Sequence, residues 1–361
     1  MILGQKNHEL NQPLLSFSFS NSEKKNETQN DVIARFFSKY YLYTAMIVGV
    51  CYGSYNFLLY LAVGQTFELR IVFLNQMANL TFFLSFQSIS AIINKKRNGS
   101  FWLKQTSCYY DEEGKYDWRV LTIVTGRSIS QIVSITLLYF TLEASLKSGV
   151  NNSIILSIYG AASIFTAIAF YFIFNEKLGV RHIVGIMLMT FSLILIASGK
   201  YQVNEQVQLR TGITEETKLS VFVPIVLAIL NCFAFVAGSY YSRQMKTTKL
   251  SIFQYTADSA AFISILFSIL ALVYHFNYKP YTSEQFKLVA LSSCCQVIGQ
   301  IFFVGSGAYG NGGLVQAMIQ VSAPYQMLLE IFVLNQYPTL MGVAGMGCCI
   351  GATVYIILSN K

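Results

Sequence analysis

Runs of about 20 apolar residues return along almost the whole of this chain, and they limit its fold more than any other feature. At about 1.5 Å of rise per residue, such a run is the length a helix needs to cross about 30 Å of hydrocarbon. The runs fall near residues 42–64, 71–94, 119–144, 150–174, 180–199, 219–242, 250–275, 285–308, 312–334 and 338–358, ten in all. Charged residues separate most of them: Glu68 and Arg70, Lys95-Lys96-Arg97, Lys147, Glu176 with Lys177 and Arg181, Arg243 with Lys246 and Lys249, and Lys279 with Glu284 and Lys287. Two gaps carry turn residues instead, Gly310 to Gly313 and Gln336-Tyr337-Pro338. Within lipid the backbone must satisfy its own polar groups, so these runs predict an all-α polytopic membrane protein of ten transmembrane helices.

Composition agrees. Of 361 residues, 54% are hydrophobic and 12% charged, about half the share of roughly 25% in a soluble domain. Mean hydropathy is +0.48. So few charges cannot coat a water-facing surface, which argues against a soluble enzyme, a disordered chain and a nucleic-acid binder. Of seven cysteines, only Cys108 lies in a polar stretch, and no CxxC spacing appears. The histidines, His8, His182 and His275, are scattered. Neither a metal site nor a cofactor is expected.

The net charge of +8 has a topological reading. With the amino terminus in the cytosol, 17 Lys and Arg fall on the inner side and 7 on the outer, leaving Arg127 inside a span. That bias places both termini in the cytosol. The Asn98-Gly99-Ser100 sequon is then cytosolic, and the one at Asn151 lies too near the membrane to be a good acceptor. Residues 1–40 read as a flexible cytosolic tail, 41–200 as a first five-helix unit and 201–361 as a second. The "ELNQPLL" segment leans toward a sorting signal, but plasma membrane and endomembrane are not separated by it.

The two units are related. "FIFNEKLGVRHIVGI" from Phe172 aligns without gaps with "FVLNQYPTLMGVAGM" from Phe332, at an offset of 160. Asn175 meets Asn335, Glu176 meets Gln336, and Gly185 meets Gly345. Five spans per unit is an odd number, so the second unit enters the membrane with opposite orientation. Such an inverted repeat suits a secondary transporter, whose halves rock about a midplane site.

The stretch from Leu142 to Ile196 resembles the end of an EamA-type module of the drug/metabolite transporter superfamily. It has a small-residue turn at Ser148-Gly149, an apolar helix, Glu176 near that helix's end, and a following helix containing Gly185. Residues 306–357 resemble the module again, with Gln336 in place of the Glu, and Arg127 in "TGRSIS" sits where many such modules carry an early Arg in the third helix. The resemblance spans roughly residues 42–358. It implies a ten-helix solute carrier.

Ionisable groups inside a bilayer cost about 2.5–3.5 kcal/mol on insertion scales and ask for a reason. Arg127 and Asp258 each lie about eight residues into their spans from the same side, which would let them pair or face one cavity. Glu330 is a candidate proton-coupling carboxylate, as is Asp258; the competing reading puts Glu330 at the outer interface. Glu143 and Glu176 sit at span ends and read as solvated. Amides are frequent. Gln316 and Gln320 share a helical face, with Tyr325 on the same side past Pro324. Gln296 and Gln300 form a second pair, and Asn56 and Gln131 add further amides. With Arg127 these residues are the candidate substrate contacts, since amides and tyrosines offer both donors and acceptors. Gly347 and Gly351 form a GxxxG, read as packing within the chain or as a homodimer seam.

The expected activity is transport of a small polar metabolite by alternating access, without covalent chemistry. Two alternatives stand beside it. One is a nucleotide-sugar carrier of the secretory pathway, with Arg127 as the one intramembrane cation. The other is a non-transporting membrane adaptor that keeps the fold.

Overall fold

The structure is a computed structural model, described here for residues 29–64, 70–102, 107–111, 113–148, 158–198, 219–220, 222–335 and 337–359. Within these lie twelve helices: α1 (Gln29–Gly64), α2 (Arg70–Leu74), α3 (Met77–Asn98), α4 (Trp118–Ser148), α5 (Ala161–Phe174), α6 (Val180–Ser198), α7 (Phe222–Met245), α8 (Ile252–Asn277), α9 (Ser283–Tyr309), α10 (Gly312–Ile319), α11 (Ser322–Leu334) and α12 (Leu340–Ser359). The tail before residue 29, the Asn151 sequon, Gly149 and Gln336 lie outside the described residues.

Seven of the segments are long and apolar enough to cross a membrane: α1, α4, α7, α8, α9, α10 with α11, and α12. Helices α5 and α6 are apolar but shorter. Helix α3 ends on Lys95, Lys96 and Arg97, cations that complement the carbonyl end of a helix. The distribution of polarity is that of a multi-pass membrane protein. Phe172, Phe276, Phe332 and Leu340 are each at least three-quarters exposed, while Arg70, Asn75, Arg127, Gln296, Gln316 and Glu330 are buried. Large apolar side chains outside and amides inside invert the rule for chains surrounded by water.

The helices pack in pairs: α1 along α9, α4 along α7, α6 along α12, α3 along α8 and α5 along α10. Small residues bring α6 and α12 together. A Cβ on Gly185 would stand 2.5 Å from Ile356 Cγ1, and one on Gly345 would stand 2.7 Å from Ile196 Cγ1. Between these contacts the Cys349 thiol lies 3.2 Å from Met189 Sδ. Polar caps close the loop ends. Ser251 caps α8, and Thr282 with Gln285 forms a capping box on α9.

Two expected spans are interrupted. The run at 71–94 breaks at Asn75-Gln76, where both side chains donate to the Gln296 amide oxygen on α9. The run at 312–334 breaks at Gln320-Val321, upstream of Pro324. Proline has no N–H for the carbonyl four residues back, and the Gln320 carbonyl is taken by Ala323 N–H instead, at 3.1 Å. The tail boundary also moves. Gln29 to Lys39 is helical, and Tyr40 (φ −117°, ψ 21°) marks a kink where the apolar run was expected to begin. Gly347 and Gly351 face outward, with no atom within 4 Å of a Cβ at either, so the GxxxG does not serve packing within the chain.

Candidate functional site

The polar faces of the helices converge on two small adjoining chambers of about 80 and 40 Å³. Tyr52, Asn56, Tyr159 and Phe235 line both. The first is completed by Arg127, Ser130, Gln131 and Ser134 of α4 and by Gln296, Gln300 and Phe303 of α9. The second is completed by Gln316 and Gln320 on α10 and the turn after it, and by Ser322 and Gln326 of α11. Lining residues recur at helical spacing, as in Tyr52 with Asn56, Arg127 with Gln131, Ser130 with Ser134, Gln296 with Gln300 and Gln316 with Gln320. Each pair presents one face of its helix.

Seven expected contact residues, Asn56, Arg127, Gln131, Gln296, Gln300, Gln316 and Gln320, therefore come together here. Tyr325 does not line either chamber. Its ring fills the space beside Gly53, and its hydroxyl accepts from Ser54 at 3.4 Å. The aromatic wall of Tyr52, Tyr55, Tyr159, Phe235 and Phe303 was not singled out from sequence, although the four-residue step from Tyr52 to Asn56 is visible there.

Several amides are already engaged. Gln316 Nε2 donates to Ser239 Oγ at 2.6 Å, and Gln320 Nε2 donates to the Tyr159 carbonyl at 3.1 Å. Gln296 Oε1 accepts from Asn75 at 3.2 Å and Asn79 at 3.4 Å. By contrast Gln131 Oε1 and Gln300 Oε1 are buried without a partner among the described residues. Arg127 is 6% exposed. Its guanidinium carbon lies 4.8 Å from the centre of the Phe303 ring, and a Cβ on Gly238 would collide with its Nη1. The absent side chain at Gly238 is what gives the guanidinium its seat against α7.

The carboxylates singled out from sequence sit elsewhere. Asp258 does not pair with Arg127; it accepts from Gln87 Nε2 and from the Tyr109 hydroxyl, each at 2.7 Å. Glu330 is 2% exposed and accepts from Gln326 Nε2 at 3.1 Å, so its side chain is enclosed by protein rather than hydrated. Neither carboxylate lines a chamber. Glu176 is not solvated: its side chain is 12% exposed and ion-paired with Arg243. Glu143, at 21%, pairs with Lys147 at 2.6 Å.

No protein-family model matches the chain, and no curated protein does. A solved crystal structure shares the fold over 91% of this chain and 99% of its own, with a TM-score of 0.57 and 13% sequence identity. At that identity the likeness is one of fold alone.

Proposed function

We propose that this chain is a ten-helix solute carrier of the drug/metabolite transporter type, working by alternating access, with both termini in the cytosol. The central cavity carries this reading, because its polar lining is drawn from α1 and α4 in one half and from α9, α10 and α11 in the other. A site built between two halves changes its access when they rock.

The packing supports an inverted repeat of α1–α6 on α7–α12. Helix α1 lies along α9 as α7 lies along α4. The contact of Gly185 with Ile356 answers that of Gly345 with Ile196, each residue standing 160 from its counterpart. Met189 touches Cys349, and the Leu188 carbonyl lies 3.9 Å from Cys348 Sγ, again across an offset of 160. Asn175 and Asn335 share a left-handed conformation, both at φ 52°.

Uptake of a metabolite panel into liposomes holding the purified full-length chain tests the reading. Thiol labelling of Gln316→Cys and Gln320→Cys accompanies it, and water-soluble reagents are expected to reach both positions from one side in each state. Protection in every state, together with no carrier-dependent uptake, refutes transport.

A further inference from the structure

We propose that the central cavity, on the reading that it is a transport site, takes a small organic anion bearing O–H or N–H groups, with Arg127 holding its charge. Arg127 is the one charged side chain among those lining the two chambers. It is buried, and among the described residues no carboxylate lies within ion-pair distance. A buried cation is normally paired, because losing water costs more than an aromatic face returns. The carboxylate that sequence position offered, Asp258, is committed to Gln87 and Tyr109. The seat at Gly238 and the Phe303 ring hold the guanidinium in place without neutralising it. The missing counter-charge is therefore the solute's.

The remaining chemistry of the chambers narrows the class. The orphaned oxygens of Gln131 and Gln300 accept and cannot donate, so the solute brings hydrogen-bond donors to them. Tyr52, Phe235 and Phe303 supply an apolar wall for the body between its charged and donor ends. A carboxylate and a phosphate both match a guanidinium fork, and the two are separated by experiment.

The test is thermal unfolding of the detergent-purified full-length protein with four matched probes: p-hydroxybenzoate, phenyl phosphate, neutral p-hydroxybenzamide and cationic p-hydroxybenzylamine. A saturable rise in Tm is expected with one or both anions and not with the other two; which anion gives it distinguishes carboxylate from phosphate. Arg127→Gln is expected to weaken that response roughly tenfold or more, with Arg127→Lys between the two. Equal shifts for all charges, no anion-specific shift, or an undiminished anion response in Arg127→Gln overturns the assignment. Should Arg127→Gln elute as aggregate, Gln300→Leu keeps the charge and removes an acceptor. It is expected to weaken anion binding about threefold while preserving the preference for anions, and a loss of that preference overturns the assignment. Uptake of the same probes into liposomes separates the two proposals. Arg127-dependent binding without uptake refutes the carrier and leaves the anion site. Uptake of neutral or cationic probes at the wild-type rate by Arg127→Gln refutes the anion site and leaves the carrier.

Discussion

Glu176, in the turn after α5, is shared between Arg243 on α7 and the backbone N–H of Gly312, which starts α10 and donates to it at 3.0 Å. Arg243 in turn donates to the carbonyls of Ala308 and Gly310 at 2.8 and 2.7 Å, closing the end of α9. A carboxylate at a helix start and a cation at a helix end both complement the helix dipole. The pair thus ties the turn after α5 to α7 and to the junction of α9 and α10, at the basic end of the bundle that carries Arg243, Lys246 and Lys249. Glu176→Gln and Arg243→Met are each expected to cost about 1–3 kcal/mol, read as lowered Tm. The double variant should cost less than the sum, as for groups sharing one interaction. In the alternating-access reading, either variant should also raise thiol labelling of Gln316→Cys from the basic side; a strictly additive double variant with unchanged labelling refutes the latch.

Asn175 and Asn335 are the two non-glycine residues with positive φ among those described. Each caps its helix, with N–H bonds to the carbonyls of Phe170 and Glu330. A β-branched residue there pays for the left-handed conformation that Asn and Gly tolerate. Asn175→Val and Asn335→Val are each expected to destabilise by about 1–2 kcal/mol, whereas Asn→Gly should be close to neutral. Melting curves for the four variants check this, and opposite signs at the two sites would count against their equivalence.

The two glycine contacts between α6 and α12 predict unequal responses to substitution. A Cβ at Gly185 meets the side chain of Ile356, which can be shortened. One at Gly345 also meets the backbone nitrogen of Ile196 at 2.8 Å and the Ser192 carbonyl at 2.9 Å, which cannot move aside cheaply. Gly185→Ala should therefore be rescued by Ile356→Ala, while Gly345→Ala should not be rescued by Ile196→Ala. Folded yield by gel filtration decides, and rescue at both sites would show that the backbone approach is unimportant.

Much of this arrangement was legible in the sequence, because lipid leaves a helix few choices. The apolar runs located the helices, and the amide steps of four residues located the faces of the cavity. Partnerships between distant segments were not legible. Asp258 and Arg127 lie at similar depth, which suggested a pair, yet Tyr109 reaches Asp258 from the polar segment between α3 and α4, and no periodicity announces such a contact. Glu176 looked like a solvated end because its partner Arg243 is 67 residues away. The break at Asn75-Gln76 carries no proline or glycine; its cause is the distant Gln296 oxygen, which accepts from both amides.

Asp258, held by Tyr109, also acts on Cys108, the residue before Tyr109 and outside the spans. Its thiol lies 3.4 Å from the Lys249 carbonyl and 3.4 Å from Gln254 Oε1. Burial pushes the thiol pKa up, the charge of Asp258 pushes it further, and Lys249 offsets part of the rise. The thiolate is the reactive form, so Cys108 should react slowly at neutral pH and faster as pH climbs through its raised pKa. Asp258→Asn removes a negative charge, which makes the thiolate easier to form. The pH midpoint for maleimide labelling, followed on the Cys108 peptide by mass spectrometry, should therefore move down. Gln87→Leu keeps both the charge and the Tyr109 bond and should leave the midpoint in place. A midpoint unmoved in Asp258→Asn would show that the carboxylate does not act on this thiol, and that burial alone accounts for its slow reaction.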